Sequence, residues 1–259
     1  MISRPVSKLG SIFSRFGRFP TTRSASTKPR NSQFQPLARY TGPTPSPTVV
    51  RGRAKFSTMA SGRDDDAKVV QFQLKSSTLL KIRIGDITKW SVDGSSDAIV
   101  NPANEQMLGG YGADGAIHKA AGPELREACF KVPQVSPTIR CPTGEARITP
   151  GFRLPASHVI HTVGPIYYKH PDPKTALESS YRNCLRVAKE NGIQYIAFTA
   201  ISCGVYGYPF DEAANVAIST VKAHCDDLRE IHFVLFADDI YDAWLKAADE
   251  LLHEEEMRR

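Results

Sequence analysis

The first 63 residues contain no Asp or Glu, against 12 Lys or Arg. From Asp64 onward the chain holds the other 21 of its 33 basic residues and all 27 acidic ones, a net charge of −6. The overall excess of +6 therefore belongs to the leader. No nucleic-acid partner is expected for the globular part, because such binding needs a basic face. Long apolar runs are missing too. No stretch approaches the roughly 18 residues that a membrane-spanning helix needs, so no membrane association is expected. The five cysteines (Cys129, Cys141, Cys184, Cys203 and Cys225) are odd in number and scattered. With no CxxC and no Cys/His ligand spacing, neither a disulfide framework nor a metal site is expected, and a reducing compartment fits. The P-loop pattern GxxxxGK[ST] is absent, which argues against a P-loop NTPase. A GxGxxG followed by an acid about twenty residues on is absent as well, which disfavours a dinucleotide dehydrogenase. No internal repeat is visible.

What is present divides the chain in two. Residues 1–63 are rich in Ser, Thr, Pro and Arg, the composition of an organelle-targeting leader. On a helix, Ile2, Val6, Leu9, Phe13 and Phe16 recur at spacings of four and three, with Arg4, Lys8, Arg15 and Arg18 on the other side. Such a basic amphipathic helix suits import into the mitochondrial matrix, with the chloroplast as the alternative and a plain disordered basic tail as the unremarkable one. Pro and Ser content from Pro20 to Val49 predicts disorder. Met59 at the leader's end suggests a second start and a cytosolic form.

Residues 70–255 read as one domain. Strands are expected at Leu79–Ile84, Ala98–Asn101, His158–Thr162, Tyr195–Ala200 and His232–Phe236, with Gln71–Leu74 as an additional edge strand. Helices are expected at Gly115–Ala121, Glu124–Phe130, Lys174–Glu190, Phe210–His224 and Ile240–Leu252. Short buried strands alternating with helices predict a three-layer α/β/α fold. Ligands of such folds sit at the carboxyl ends of the strands. The polar and glycine-rich segments fall there: 85–88, 101–104, 108–115, 201–209 and 237–239. Two glycine-rich loops running from strand ends into helices suggest a pyrophosphate clamp, since glycine admits an anion to the backbone and helix N-termini present N–H groups. A pair of tight turns is the competing reading.

Together these segments resemble the macro domain family, in its MacroD-type branch and most like plant members. The matching residues are Gly-Asp-Ile-Thr (85–88), Asp-Ala-Ile-Val-Asn-Pro-Ala-Asn (97–104) and Gly-Ala-Asp-Gly-Ala-Ile-His-Lys-Ala-Ala-Gly (112–122). Cys-Pro-Thr-Gly-Glu-Ala (141–146), Leu-Pro-Ala-Ser-His-Val-Ile-His-Thr-Val-Gly-Pro (154–165) and Ser-Cys-Gly-Val-Tyr-Gly-Tyr-Pro (202–209) follow in order. The resemblance spans about residues 78–250. It implies an α/β macro domain with a central mixed sheet, ADP-ribose as ligand, and no metal or organic cofactor.

The resemblance also implies roles. Asp86 would accept from the adenine amino group beside the Ile87 backbone; otherwise it is a helix cap. Asn104 would hold the distal ribose, or else only its own loop. Asp114 would place the attacking water, or merely cap a helix. Gly110, Tyr111, Gly112 and Ala113 form the first ribose/phosphate loop, and Ser202, Cys203, Gly204, Val205, Tyr206 and Gly207 the second. Phe236 would meet the adenine face; a core aromatic is as good a reading. His118 and His161 read as core histidines, and Asn101 as a brace for the loop. Cys203 has no partner base visible in the sequence and is no nucleophile. Tyr111 and Cys203 stand where this branch has glycine and threonine, and Tyr111 would be strained at positive φ.

The expected activity is hydrolysis of ADP-ribosyl esters on Asp or Glu of proteins, or of O-acetyl-ADP-ribose, with Asn104 and Asp114 as the catalytic pair. The competing readings are a non-catalytic ADP-ribose reader and an ADP-ribose 1″-phosphate phosphatase. A monomer is expected.

Overall fold

The protein is described by a computed structural model from residue 69 to residue 253, with only the backbone of His253; the expected leader lies outside the described residues. Seven strands form one sheet: β1 (Val69–Lys75), β2 (Thr78–Ile84), β3 (Asp97–Pro102), β4 (Ala146–Pro150), β5 (His158–Thr162), β6 (Tyr195–Phe198) and β7 (Glu230–Leu235). Their order is β1-β2-β7-β6-β3-β5-β4. The five central strands run parallel, while β1 and β4 close the two edges antiparallel. All five central carboxyl ends thus meet one rim of the sheet. The helices are α1 (Gly112–Ala121), α2 (Pro123–Lys131), α3 (Pro173–Glu190), α4 (Phe210–His224) and α5 (Asp238–His253).

Side chains alternate across a strand, so a strand buried on both faces feeds two cores. Ala98 and Val100 of β3 pack into one cluster with Leu177, Tyr181, Ile218 and Trp244 from α3, α4 and α5. Ile99, between them, points the other way, into a cluster with Ile117, Leu125 and Trp90. In β7 the same split places Ile231, Phe233 and Leu235 on the first face and Val234 on the second. Phe233 anchors the larger core, its ring 5.7 Å from that of Phe198 and 5.9 Å from that of Trp244. The three-layer α/β/α architecture is as expected, and the sheet is mixed.

Four differences from the sequence reading bear on the site and its edges. Strand β4 was not anticipated, because Ala-Arg-Ile-Thr-Pro buries only Ala146 and Thr149, as an edge strand does. Helix α1 begins at Gly112, three residues before the expected start, which draws Asp114 out of the loop and into its first turn. Helix α5 begins at Asp238, so the expected loop of 237–239 is mostly helix. Strand β7 ends at Leu235 and leaves Phe236 beyond it.

Candidate functional site

At the carboxyl end of β2 the chain makes one 3-10 turn, Ile87–Lys89. Asp86 caps it, accepting from the Thr88 N–H at 3.0 Å and the Thr88 hydroxyl at 2.7 Å through one oxygen, Oδ1. Both bonds leave Oδ2 directed outward from a half-exposed side chain, with Lys89 at 3.8 Å. The cap reading is therefore correct without excluding a ligand on the second oxygen. Ile87 is buried against the sheet, so what it offers a ligand is backbone. Phe236 is 76% exposed at the end of β7, not a core aromatic.

Asn104 and Asp114 meet around Gly110. A Cβ added at Gly110 would stand 2.9 Å from Asp114 Oδ2 and 3.4 Å from Asn104 Nδ2, so a side chain here would have to displace the Asp114 carboxylate. The loop is pressed onto α1: a Cβ at Gly115 would lie 2.5 Å from the Gly110 carbonyl oxygen. Asn104 braces this loop, its Nδ2 donating to the Gly109 carbonyl at 3.0 Å and its Oδ1 accepting from the Gln106 N–H at 3.1 Å. An amide nitrogen carries two hydrogens, so one N–H remains beyond the Gly109 bond. Met107 in the same loop is buried at φ +60°, a conformation that costs about 1–3 kcal/mol outside glycine and gathers at ligand clamps.

Asp114 itself is 4% exposed. Its Oδ1 accepts from Asn101 Nδ2 at 2.8 Å and lies 3.4 Å from His118 Nε2, one helical turn on. Its Oδ2 has no protein partner. Burial raises the carboxyl above its ordinary range, against the opposing pull of Asn101 and then His118. Burial likewise lowers His118. Asn101 is fully buried and holds Asp114 as well as bracing the loop end, in line with its expected supporting role. His161 is the core histidine expected: fully buried, 3.1 Å from Asn101 through Nδ1 and 2.9 Å from the Thr149 hydroxyl through Nε2, and held neutral by burial down to about 3. His118 corrects the sequence reading. It is no satisfied core residue, since its Nε2 is buried without a hydrogen-bond partner, 3.4 Å from Asp114 Oδ1. With α1 read from Gly115, the i,i+4 relation between the two was hidden. Although no ligand spacing shows in the sequence, the side chains of His118, Cys129 and His161 arrive from α1, α2 and β5 with polar atoms within 4.8 Å of one another.

The second loop closes the rim from β6 to α4. Tyr208 N–H bonds the Ser202 carbonyl at 3.0 Å and Gly207 N–H the Gly204 carbonyl at 3.0 Å, which curls 202–208 into a tight cradle. Ser202 is buried at φ +67° with its hydroxyl unpartnered, a second strained non-glycine residue at the rim. Cys203 is buried, and burial pushes its thiol up to about 12, as expected for a residue that is no nucleophile. Gly204 faces open space, and Val205 is 94% exposed. Tyr206 is half-buried; burial raises its phenol, and the nearby carboxylates of Glu105 and Asp114 raise it further.

Tyr111 precedes α1 as its N-cap with φ −107°, an extended conformation open to any residue. The strain that a positive φ would bring is therefore absent. Its side chain is 95% exposed and does not fill the cleft. Gly112 and Ala113 form the first turn of α1 behind it.

Comparison with known proteins follows this geometry. The family described as "Macro domain" matches residues 100–217. A macro domain-containing protein of Vibrio parahaemolyticus is 52% identical over 163 residues, 63% of this chain and 93% of that protein. The ADP-ribose glycohydrolase MACROD2 of Xenopus laevis is 44% identical over 182 residues, 67% of this chain but 41% of that longer protein. Among solved structures, the Oceanobacillus iheyensis macrodomain with ADP is 39% identical, with TM-score 0.67, covering 72% of this chain and 98% of that one. The same Oceanobacillus protein has been solved with Ala replacing an Asn and with Ala replacing an Asp ten positions later. A further variant, with ADPR, carries Val for a Gly three positions before that Asp. The chain belongs to the macro domain family, and its likeness to these proteins fits the MacroD-type branch.

Proposed function

We propose that the chain binds ADP-ribose and hydrolyses ADP-ribosyl esters, on Asp or Glu of proteins or in O-acetyl-ADP-ribose, releasing ADP-ribose. The observation that carries this reading is the placement of a buried, unpartnered carboxylate oxygen, Asp114 Oδ2, beside Asn104 across Gly110. The relatives support both halves of it. One is a glycohydrolase by name, and the Oceanobacillus structures hold ADP or ADPR. Asn104 and Asp114 have the ten-residue separation of the two residues altered in that protein, and Tyr111 the position of its Gly-to-Val change. A side chain at that position is thus compatible with ADPR in a relative.

In this reading Asp86 Oδ2 accepts from the adenine amino group, and Phe236 covers the base. The N-terminus of α1 and the 204–207 cradle take the pyrophosphate on backbone N–H groups. The remaining N–H of Asn104 bonds the distal ribose. Asp114 Oδ2 accepts from a water and turns its lone pair toward the ribose carbon that bears the ester. For an Asp or Glu ester a new carbon–oxygen bond forms at that anomeric carbon and the bond to the acyl oxygen breaks. The Asp or Glu carboxylate leaves with its electron pair and needs no strong acid behind it, and the water's proton passes to Asp114 or to the substrate phosphate. For O-acetyl-ADP-ribose the water instead bonds the acyl carbon and the bond from that carbon to the ribose oxygen breaks, the sugar oxygen taking up the proton. His118 and Asn101 are positioning residues that fix Asp114.

The test compares release of label from a protein mono-ADP-ribosylated on glutamate with one modified on arginine. Release from the glutamate ester alone is expected. Tight ADP-ribose binding with no release from either would make the chain a reader, and equal release from both would remove the ester preference.

A further inference from the structure

Among the described residues, the four most exposed large apolar side chains are Tyr111 at 95%, Val205 at 94%, Tyr168 at 83% and Phe236 at 76%. All four stand on segments that follow the carboxyl ends of central strands, namely β3, β6, β5 and β7. Apolar side chains scattered singly over a surface need no explanation, but a group gathered at one rim marks a contact. Phe236 has the adenine to cover in the reading above. The other three side chains have no such duty.

Tyr168 is exposed but not loose. The Tyr167 N–H bonds the Tyr206 carbonyl at 2.9 Å, which ties the segment after β5 to the 204–207 cradle. The Tyr167 hydroxyl donates to the Glu212 carboxylate at 3.1 Å, and its ring stands edge-on to that of Tyr208 at 4.8 Å. Tyr168 sets its own ring edge-on to that of Tyr167 at 5.2 Å. That ring also lies against the cradle, where a Cβ at Gly207 would be 3.1 Å from Tyr168 Cε2. Val205 sits inside the turn closed by the Gly207 N–H and the Gly204 carbonyl at 3.0 Å, and Tyr111 is fixed as the N-cap of α1. Held rings with a free face lose little conformational freedom when they are covered, which is why Tyr is common at contact surfaces.

What covers them follows from where the ester lies. Asp114 is buried, so with ADP-ribose bound as above it lies on the protein side of the scissile bond and the acyl group on the solvent side. An acetyl group ends there, whereas a modified glutamate continues into a polypeptide. We propose that Tyr111, Val205 and Tyr168 form a contact surface for the polypeptide on either side of the modified residue, with a preference for apolar side chains in it. The surface has this role only if the ADP-ribose site is as described under the proposed function. Beyond that site, it makes the flanking sequence a determinant of substrate choice. None of the three side chains reaches the reacting atoms, so the effect falls on affinity for the modified chain and not on the rate of the bound ester.

The test uses two synthetic peptides that carry ADP-ribose through a stable linkage in place of the glutamate ester, one flanked by Leu and Phe and one by Ser. Calorimetry on the full chain compares each with free ADP-ribose, for wild type, Tyr168→Ser and Tyr111→Ser combined with Tyr168→Ser. The readout is the affinity gained over free ADP-ribose by the same protein, which corrects for any shift in nucleotide affinity. Wild type is expected to gain about tenfold from the apolar flanks and little from the Ser flanks, the scale of one well-covered contact ring. The gain shrinks in Tyr168→Ser and falls to within about twofold of free ADP-ribose in the double variant.

Equal affinity of wild type for both peptides, or a gain undiminished in the double variant, overturns the surface. So does a loss of free ADP-ribose affinity that matches the loss for the peptide, because the rim then covers the nucleotide. A wild-type dimer that Tyr168→Ser splits would give the rim to a second copy and overturn it as well. Flank preference without release from a glutamate ester leaves the surface standing and removes the hydrolase reading. Release from that ester without flank preference does the reverse.

Discussion

Asn101 Nδ2 donates to Asp114 Oδ1 at 2.8 Å, and both side chains are buried. The bond joins the end of β3 to the first turn of α1 and fixes which carboxylate oxygen is free. Its loss releases Asp114 without touching the nucleotide pocket. Asn101→Ala is therefore expected to slow ester hydrolysis by about 100-fold, the effect of misplacing a reacting group by about 1 Å. The ADP-ribose Kd should stay within about threefold. Single-turnover release and calorimetry on the same preparation check both.

Tyr111 has an unstrained backbone and an almost fully exposed ring. Replacing it with glycine removes no buried contact and adds only freedom to the unfolded chain, a cost below about 1 kcal/mol. Tyr111→Gly should leave turnover within about threefold of wild type, as judged by steady-state release and denaturant unfolding. A silent wild type with an active Tyr111→Gly would show that this residue makes the natural protein a reader.

Gly115 lets α1 touch the ribose loop, and a Cβ there meets the Gly110 carbonyl, which is backbone and cannot turn aside. Gly115→Ala should lift the loop, costing about 1–3 kcal/mol of stability, the range for overpacking. ADP-ribose affinity should fall at least about tenfold. Unfolding and calorimetry measure the two.

Glu230 bonds His232 at 2.8 Å and pairs with Lys81 at 2.8 Å, on the sheet end away from the site. The His232 hydrogen bond leads in holding the Glu230 carboxyl down to about 2, with Lys81 adding to it against burial. A folded-state pKa below the unfolded value stabilises above the unfolded pKa and stops doing so as pH falls through the folded one. Its contribution is thus full above about pH 4.5 and lost toward pH 2. Allowing for solvent screening, it amounts to about 1–2 kcal/mol. Glu230→Gln should flatten this part of the stability-versus-pH curve in denaturant titrations, with activity unchanged at neutral pH.

Strands β2, β3, β5, β6 and β7 were legible because apolar runs between turn residues have few other uses. Phe72 and Leu74, alternating with polar neighbours, made β1 readable too. β4 was not, since an edge strand with Arg147 and Pro150 lacks the run that marks a buried one. The rim loops were legible as a site because glycine, Asn and Asp cluster where strands end. The partners of Asp114 were not. Asn101 lies in an apolar strand, and His118 required the true start of α1. Contacts assembled across separate elements leave no spacing to read.

The central claim is that Asp114 acts on the water and not on the nucleotide. Wild type and Asp114→Ala are given a glutamate-linked mono-ADP-ribosylated protein, and ADP-ribose binding is measured alongside. The account predicts release by wild type and release at least about 100-fold slower by Asp114→Ala, with ADP-ribose bound nearly as well by both. Equal rates for the two proteins, or binding without release by wild type, would contradict it.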